Sequence, residues 1–170
     1  MMQEFRSVAP EQFDKSPFRL VGKDWMLIAA EKDGRCSGMT AGWGGLGVMW
    51  GRNAAFAVIR ESRFTKGLVD GSELFSLTFF DHEAYKDMYA YMGRASGRDE
   101  DKLAKSGLTL LHRDGVPYFE QASTAILCRK LCSQPIVPGS FTQGWIDGRY
   151  YADHDYHTLY IGEVLEILTR

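Results

Sequence analysis

Between Cys36 and Asn53 the chain reads CSGMTAGWGGLGVMWGRN, with six glycines from Gly38 to Gly51. Inside this stretch Gly42-Trp43-Gly44-Gly45-Leu46-Gly47 matches G-x-G-x-x-G, the spacing of a dinucleotide-binding loop. That loop needs a strand before it, a helix opened by it and an acid about 20 residues further on. Glu61 stands near that distance, but the helix is missing. Only Val48, Met49, Trp50 and Gly51 separate Gly47 from the next turn and strand-like run, and Trp50-Gly51-Arg52-Asn53 is turn chemistry. No G-K-[ST] follows, which removes a phosphate-binding loop of the Walker kind. Two readings remain, and composition alone leaves them even. Glycine backbone can approach a flat ligand and satisfy its polar edge with N–H and C=O groups, or it can simply turn a barrel connection tightly.

The flanking segments predict a β-rich chain. Asp24 to Gly34 reads as a strand closed by Asp33-Gly34, a hairpin signal, with CSGMT as the return strand. Ala54–Arg60, Glu73–Phe80, Gln121–Val137 and His157–Leu168 read as further strands, giving about six. Gly162 inside the last marks a bulge or a close backbone approach. SRFTKGLVDG predicts one or two helical turns with Ser62 as N-cap. Asp81 to Gly93 predicts a helix capped by Asp81 and closed by Gly93. Its Tyr85, Met88, Tyr89 and Met92 recur at helical spacing and read as core. A short helix ending at Gly107 follows. Strands and helices do not alternate strictly, so a doubly wound parallel sheet is excluded in favour of a mostly antiparallel barrel with helical insertions.

With 170 residues, the chain predicts one domain, 1–170, with residues 1–15 peripheral. A net charge of −2 gives no electrostatic case for nucleic acid or an anionic membrane. The three cysteines form no disulfide framework. On a strand Cys128 and Cys132 would stand roughly 13 Å apart, too far to bridge. With no apolar leader at the start and no transmembrane run, these features point to a soluble protein of the reducing cytoplasm.

Four segments, taken in order, carry a resemblance. They are Met39-Thr40-Ala41-Gly42-Trp43-Gly44-Gly45-Leu46-Gly47 with Trp50, Ile59-Arg60-Glu61-Ser62-Arg63-Phe64-Thr65, Ser96-Gly97-Arg98-Asp99 with Asp101-Lys102, and Asp155-Tyr156-His157 with Tyr160-Ile161-Gly162-Glu163-Val164. Together they resemble the flavin reductase-like family, over about Ser16 to Glu166. The resemblance implies an antiparallel Greek-key split β-barrel of the FMN-binding type, a homodimer, and FMN near the subunit interface. By motif, Met39, Thr40, Ala41, Gly42 and Trp43 would run along the flavin ring. Arg60, Ser62, Arg63 and Thr65 would lie near the ribityl phosphate. Ser96, Gly97, Arg98 and Lys102 would close over the cofactor, and His157 would stand at the mouth. Three positions depart from the family pattern: Gly42 for a frequent serine, Phe64 for a frequent tyrosine, and Asn53 for a frequent proline.

Residue chemistry supports the phosphate assignment on its own terms. Arginine meets phosphate oxygens bidentately, and a helix start at Ser62 would add N–H donors. The alternative for Arg60 and Arg63 is a solvated barrel rim. For Ser96-Gly97-Arg98-Asp99 it is an N-capped helix start with Asp99 in the first turn. Lys102 divides evenly between ligand contact and exposed helix residue. Asp153, His154, Asp155 and His157 could suit a metal by type, but on an extended segment their side chains alternate faces and cannot all converge. His82 and His112 read as surface residues, and Trp50 as core packing. The expected function is FMN-dependent oxidoreduction with NADH or NADPH as donor and a downstream acceptor that could be a redox protein. The alternative is a non-enzymatic flavoprotein electron carrier reduced by a partner protein. No acid–base residue is required, and His157 is the single catalytic candidate.

Overall fold

A computed structural model describes residues 4–170. Residues 1–3, which belong to the stretch expected to be peripheral, lie outside the described residues. Eight strands form one antiparallel sheet in the order β3-β2-β6-β9-β10-β5-β4, with β1 beside β10. They are β1 (Arg6–Val8), β2 (Met26–Lys32), β3 (Arg35–Ala41), β4 (Gly44–Met49), β5 (Arg52–Arg60), β6 (Leu74–Phe79), β9 (Thr124–Pro135) and β10 (His157–Thr169). A separate ribbon pairs β7 (Leu110–Arg113) with β8 (Val116–Phe119). The helices are α1 (Pro17–Arg19), α2 (Phe64–Gly71), α3 (His82–Arg94), α4 (Lys102–Ser106) and α5 (Gly144–Tyr150).

β2 explains the layering. Its first five residues, Met26 to Ala30, are all buried. Side chains alternate faces along a strand. Met26, Ile28 and Ala30 enter one core with Ile59, Leu77 and Tyr160, while Leu27 and Ala29 enter another with Tyr89, Met92 and Phe119. The first core is the interior of the curved sheet. The second lies between the sheet and α3.

β3 and β4 stand at opposite ends of the strand order, yet only Gly42 and Trp43 separate them in the chain. Three residue steps span at most roughly 11 Å. The sheet must therefore curl until its two ends nearly meet. Its terminal strands do not pair, and that seam is the split of a split barrel.

Several sequence expectations need correction. Among the described residues there are ten strands, not about six. Part of the glycine run is a strand itself, β4 paired with β5. Gly44 has φ 146° and would place a Cβ 2.2 Å from the Phe56 carbonyl oxygen, so only glycine fits there. Ser62 does not cap α2. Arg63 occupies the N-cap position, and the Ser62 amide and hydroxyl both donate to Asp155, at 3.0 and 2.5 Å. Gly93 does not end α3; the helix runs to Arg94, and its late carbonyl at Met92 accepts from Lys102 Nζ at 2.7 Å. The second short helix starts at Lys102, with Asp101 accepting from the Ala104 amide. Ser96 to Asp99 form a turn instead, closed by Asp99 N–H on the Ser96 carbonyl. Trp50 is 61% exposed in the β4–β5 turn, because its φ of 52° directs the chain around the hairpin and away from the core. Gly162 marks both features expected of it: the β9–β10 register shifts there, and a Cβ would lie 2.6 Å from the Phe75 ring.

Candidate functional site

The seam opens on a cleft of about 260 Å³. Its walls come from the end of β3 with the connector (Met39 to Trp43), from Val58 and Arg60 of β5, and from Arg63, Gly93 and His157. A smaller pocket of about 90 Å³ adjoins it, sharing Met39 and Arg63. Ser62, Phe64, Thr65, Ser96, Gly97 and Lys102 line that end, with Arg94 and Ala95. Every cofactor residue expected from the sequence lines one pocket or the other except Arg98. Arg98 lies beside them, donating to the Ser62 carbonyl at 2.7 Å.

One wall is backbone. β3 pairs with β2 on one side only, so its other edge is open. The Gly38 carbonyl accepts from Lys102 Nζ at 3.0 Å. Backbone groups alternate sides along a strand, which brings the Thr40 peptide groups to that same edge. The Thr40 hydroxyl is turned away, donating to the Tyr89 carbonyl at 2.6 Å. α3 packs against this strand at Gly93, whose Cβ position would stand in ordinary contact with Thr40 Cβ at 3.5 Å. Gly42 faces the Trp25 indole, whose Cδ1 is 2.9 Å from an added Cβ.

The four cations divide by what they already hold. Arg60 donates to the carbonyls of Asp155 and Tyr150, both at 2.9 Å, and pairs with Asp153 at 3.5 Å. It ties the segment before β10 to β5. Arg98 is held on Ser62. Arg63 makes one long bond, 3.4 Å to the Met92 carbonyl, and burial pulls its pKa down. Lys102 is 4% exposed, which settles that it is not an exposed helix residue. Burial, reinforced by the Arg63 charge, lowers its pKa to about 8 against the opposing pull of Glu100. Arg63, with its one long bond, and the pocket-lining Arg94, whose side chain has no hydrogen-bond partner among the described residues, therefore keep the most donor capacity. Lys102 gives two of its three N–H donors to the Gly38 and Met92 carbonyls. The first-turn N–H groups of Phe64 and Thr65 lack acceptors within α2. This end of the site is built to receive an anion.

The opposite end is aromatic. Trp43, 43% exposed, packs 5.1 Å from both the His157 and the Tyr150 ring. His157 is buried, and burial first, then Arg60, lower its pKa to about 4. The imidazole is neutral. Asp153 turns to Arg60, Asp155 to Ser62, and His154 to the Tyr156 ring, so the acids and histidines of this segment diverge. Of the other histidines, His112 is exposed beside Glu31, while His82 is half-buried between Trp25 and Tyr89.

Sequence reasoning missed Val58, Gly93, Arg94 and Ala95 as lining, and missed the segment around α5 altogether. The signal for that segment was aromatic density, with Phe141, Trp145, Tyr150 and Tyr151 in one short stretch.

A family model described as flavin reductase like domain matches residues 18–170. A search of curated proteins returns no match. An FMN-binding domain of a flavin reductases-like enzyme from Shewanella baltica OS155 superposes with a TM-score of 0.71 at 18% identity, covering 98% of this chain and 77% of that one. An FMN-binding protein from Thermus thermophilus gives 0.66 at 23% identity, with 99% and 80% covered. Flavoredoxin of Desulfovibrio vulgaris (Miyazaki F) gives 0.66 at 22%, with 86% and 69% covered. At these identities the likeness is one of fold.

Proposed function

The chain belongs to the flavin reductase-like family, and we propose that it is an FMN-binding oxidoreductase taking electrons from NADH or NADPH to a downstream acceptor. The observation that carries this reading is the pair of joined clefts. An aromatic slot with an open strand edge along one wall leads into a small pocket holding Arg63, Lys102, hydroxyls and free helix N–H groups. This donor set fits a planar ring with polar edges attached through a chain to a phosphate. Bound FMN would supply a ring that accepts a hydride and passes electrons onward.

In this reading Met39 to Trp43 orient the ring through backbone groups. Arg63, Thr65, Ser96, Gly97 and Lys102 hold the phosphate. Arg60, Ser62 and Arg98 act one step removed, fixing the walls through the bonds described above. A homodimer would close over the phosphate end. The three free thiols suit a reducing compartment, and no helix among the described residues is long and apolar enough to cross a membrane.

Titration with FMN, followed by quenching of flavin fluorescence, tests the site; a chain that binds no FMN overturns the proposal. Oxidation of NADH and NADPH by the loaded protein tests the activity. Tight FMN without nicotinamide oxidation supports the second reading, a flavin electron carrier reduced by a partner protein. The likeness in fold to a flavoredoxin favours keeping that reading.

A further inference from the structure

A buried hydrogen bond stands behind the aromatic wall of the cleft. Tyr151 follows α5, and its hydroxyl lies 2.9 Å from Nδ1 of His157 at the start of β10. Tyr151 is 4% exposed and His157 9%. The other imidazole nitrogen, Nε2, has no protein partner among the described residues, and the ring lines the cleft. We infer that Tyr151 is a positioning residue that fixes His157 as a neutral Nε2–H donor, aimed at a carbonyl oxygen of the planar ring bound beside it. This rests on the flavin reading given above.

The tautomer follows from hydrogen-bond accounting. A neutral imidazole has one donor and one acceptor nitrogen. If Nδ1 carried the proton, it would donate to Tyr151, and the phenol's own proton would be left buried without an acceptor. Such an unmade bond is about 1–3 kcal/mol unfavourable. If Tyr151 donates to Nδ1, both groups are satisfied, and the proton must sit on Nε2.

Tyr151 cannot easily swing away. Its ring stacks on Tyr156 at 4.8 Å and on Phe141 at 5.5 Å, and Tyr156 is anchored through its hydroxyl to Asp147 at 2.7 Å. The imidazole is held between the Tyr151 edge and the tilted Trp43 ring. The charged groups facing it are Arg60 from β5, which Asp153 partners, and Asp155 from the preceding segment; burial and Arg60 prevail and keep it uncharged.

A fixed, uncharged donor in a water-poor wall stabilises negative charge growing on an oxygen without moving a proton. It needs no acid–base cycle. Two carbonyls share the required chemistry, one on the flavin ring and one on the nicotinamide carboxamide.

Nitrogen-15 NMR of the full chain labelled at histidine reads the tautomer directly, with His157 assigned from the signal lost in His157→Gln. The expected result is protonated Nε2 and bare Nδ1 in the wild type, giving way to mixed tautomers in Tyr151→Phe. A wild-type His157 protonated at Nδ1 overturns the inference and needs no variant. On FMN saturation the Nε2 signal should move if the oxygen is the flavin's. If FMN leaves it unmoved and added NAD⁺ moves it, the oxygen belongs to the nicotinamide. Bound ligands that both leave Nε2 unmoved overturn its aim. Failure to bind FMN, read separately by fluorescence, overturns the functional reading, while the tautomer still decides the Tyr151 assignment. In the flavin case Tyr151→Phe should weaken FMN by roughly twofold, the dilution expected when about half of the imidazoles hold the wrong tautomer.

Discussion

Gly42, which departs from a serine frequent in related chains, has a local cause in Trp25. An added Cβ would stand 2.9 Å from Trp25 Cδ1 and 3.1 Å from Nε1. Trp25 is held in turn by the Tyr89 hydroxyl donating to its carbonyl at 3.0 Å and by the His82 ring against its edge. Gly42→Ser should therefore lower stability by about 1–3 kcal/mol, as overpacking does, read as a fall in Tm. In a Trp25→Ala background that penalty should largely vanish, a non-additivity expected of touching residues. The motif offered Lys102 as a candidate, and it lines the smaller pocket, but its burial was not legible, because burial depends on α3 and β3 arriving around it. Its pKa of about 8 lies below the ordinary 10.5. Between those values the unfolded chain binds the proton more strongly, so folding stability rises with pH through that window. The cation available to an anion fades over the same range. Wild-type protein should thus gain stability relative to Lys102→Met from about pH 8 upward while its FMN affinity falls, and Lys102→Met should show neither trend. Denaturant melts and FMN titrations across pH check both halves.

Elements with strong local signals were legible, and those made by pairing were not. Asp33-Gly34 closes β2 onto β3 with φ values of 51° and 74°, as its sequence implied. Asp114-Gly115 carries the same signal and the same geometry between β7 and β8, but the short flanking runs gave no alternation to attach it to. β4 was hidden by its glycines: it exists because β5 supplies a complete ladder partner, which a sequence window does not contain. α3 was legible through its cap, and Asp81 accepts from the Ala84 amide at 3.0 Å. Asp81→Ala should cost about 0.5–2 kcal/mol, measured by urea unfolding. In β10 the bulge glycine is filled from across the sheet. Gly162→Ala should cost about 1–3 kcal/mol through contact with the Phe75 ring, and Phe75→Leu in the same chain should relieve part of it.

At the scale of the molecule, the site exists because two sequence neighbours, β3 and β4, end on opposite edges of one sheet. Local patterning cannot encode that, since the seam depends on the order of all the strands; only the resemblance of four separated motifs made it legible in advance. The same topology leaves β4 unpaired on its outer side. Val48 and Trp50 on this hairpin are 70% and 61% exposed, and Phe18 of α1, which packs near β4, is 91% exposed. An open strand edge beside exposed large apolar side chains is a surface suited to association with another chain. A second copy is the occupant expected here. Light scattering should then give twice the 19.2 kDa chain mass, and Val48→Lys with Trp50→Ser should shift the protein toward monomer with its circular dichroism unchanged. If the partner also closes over the phosphate end, that monomer should bind FMN more weakly although no altered residue lines either pocket. A wild-type protein that stays monomeric at all concentrations and still binds FMN tightly would place the whole site within one chain.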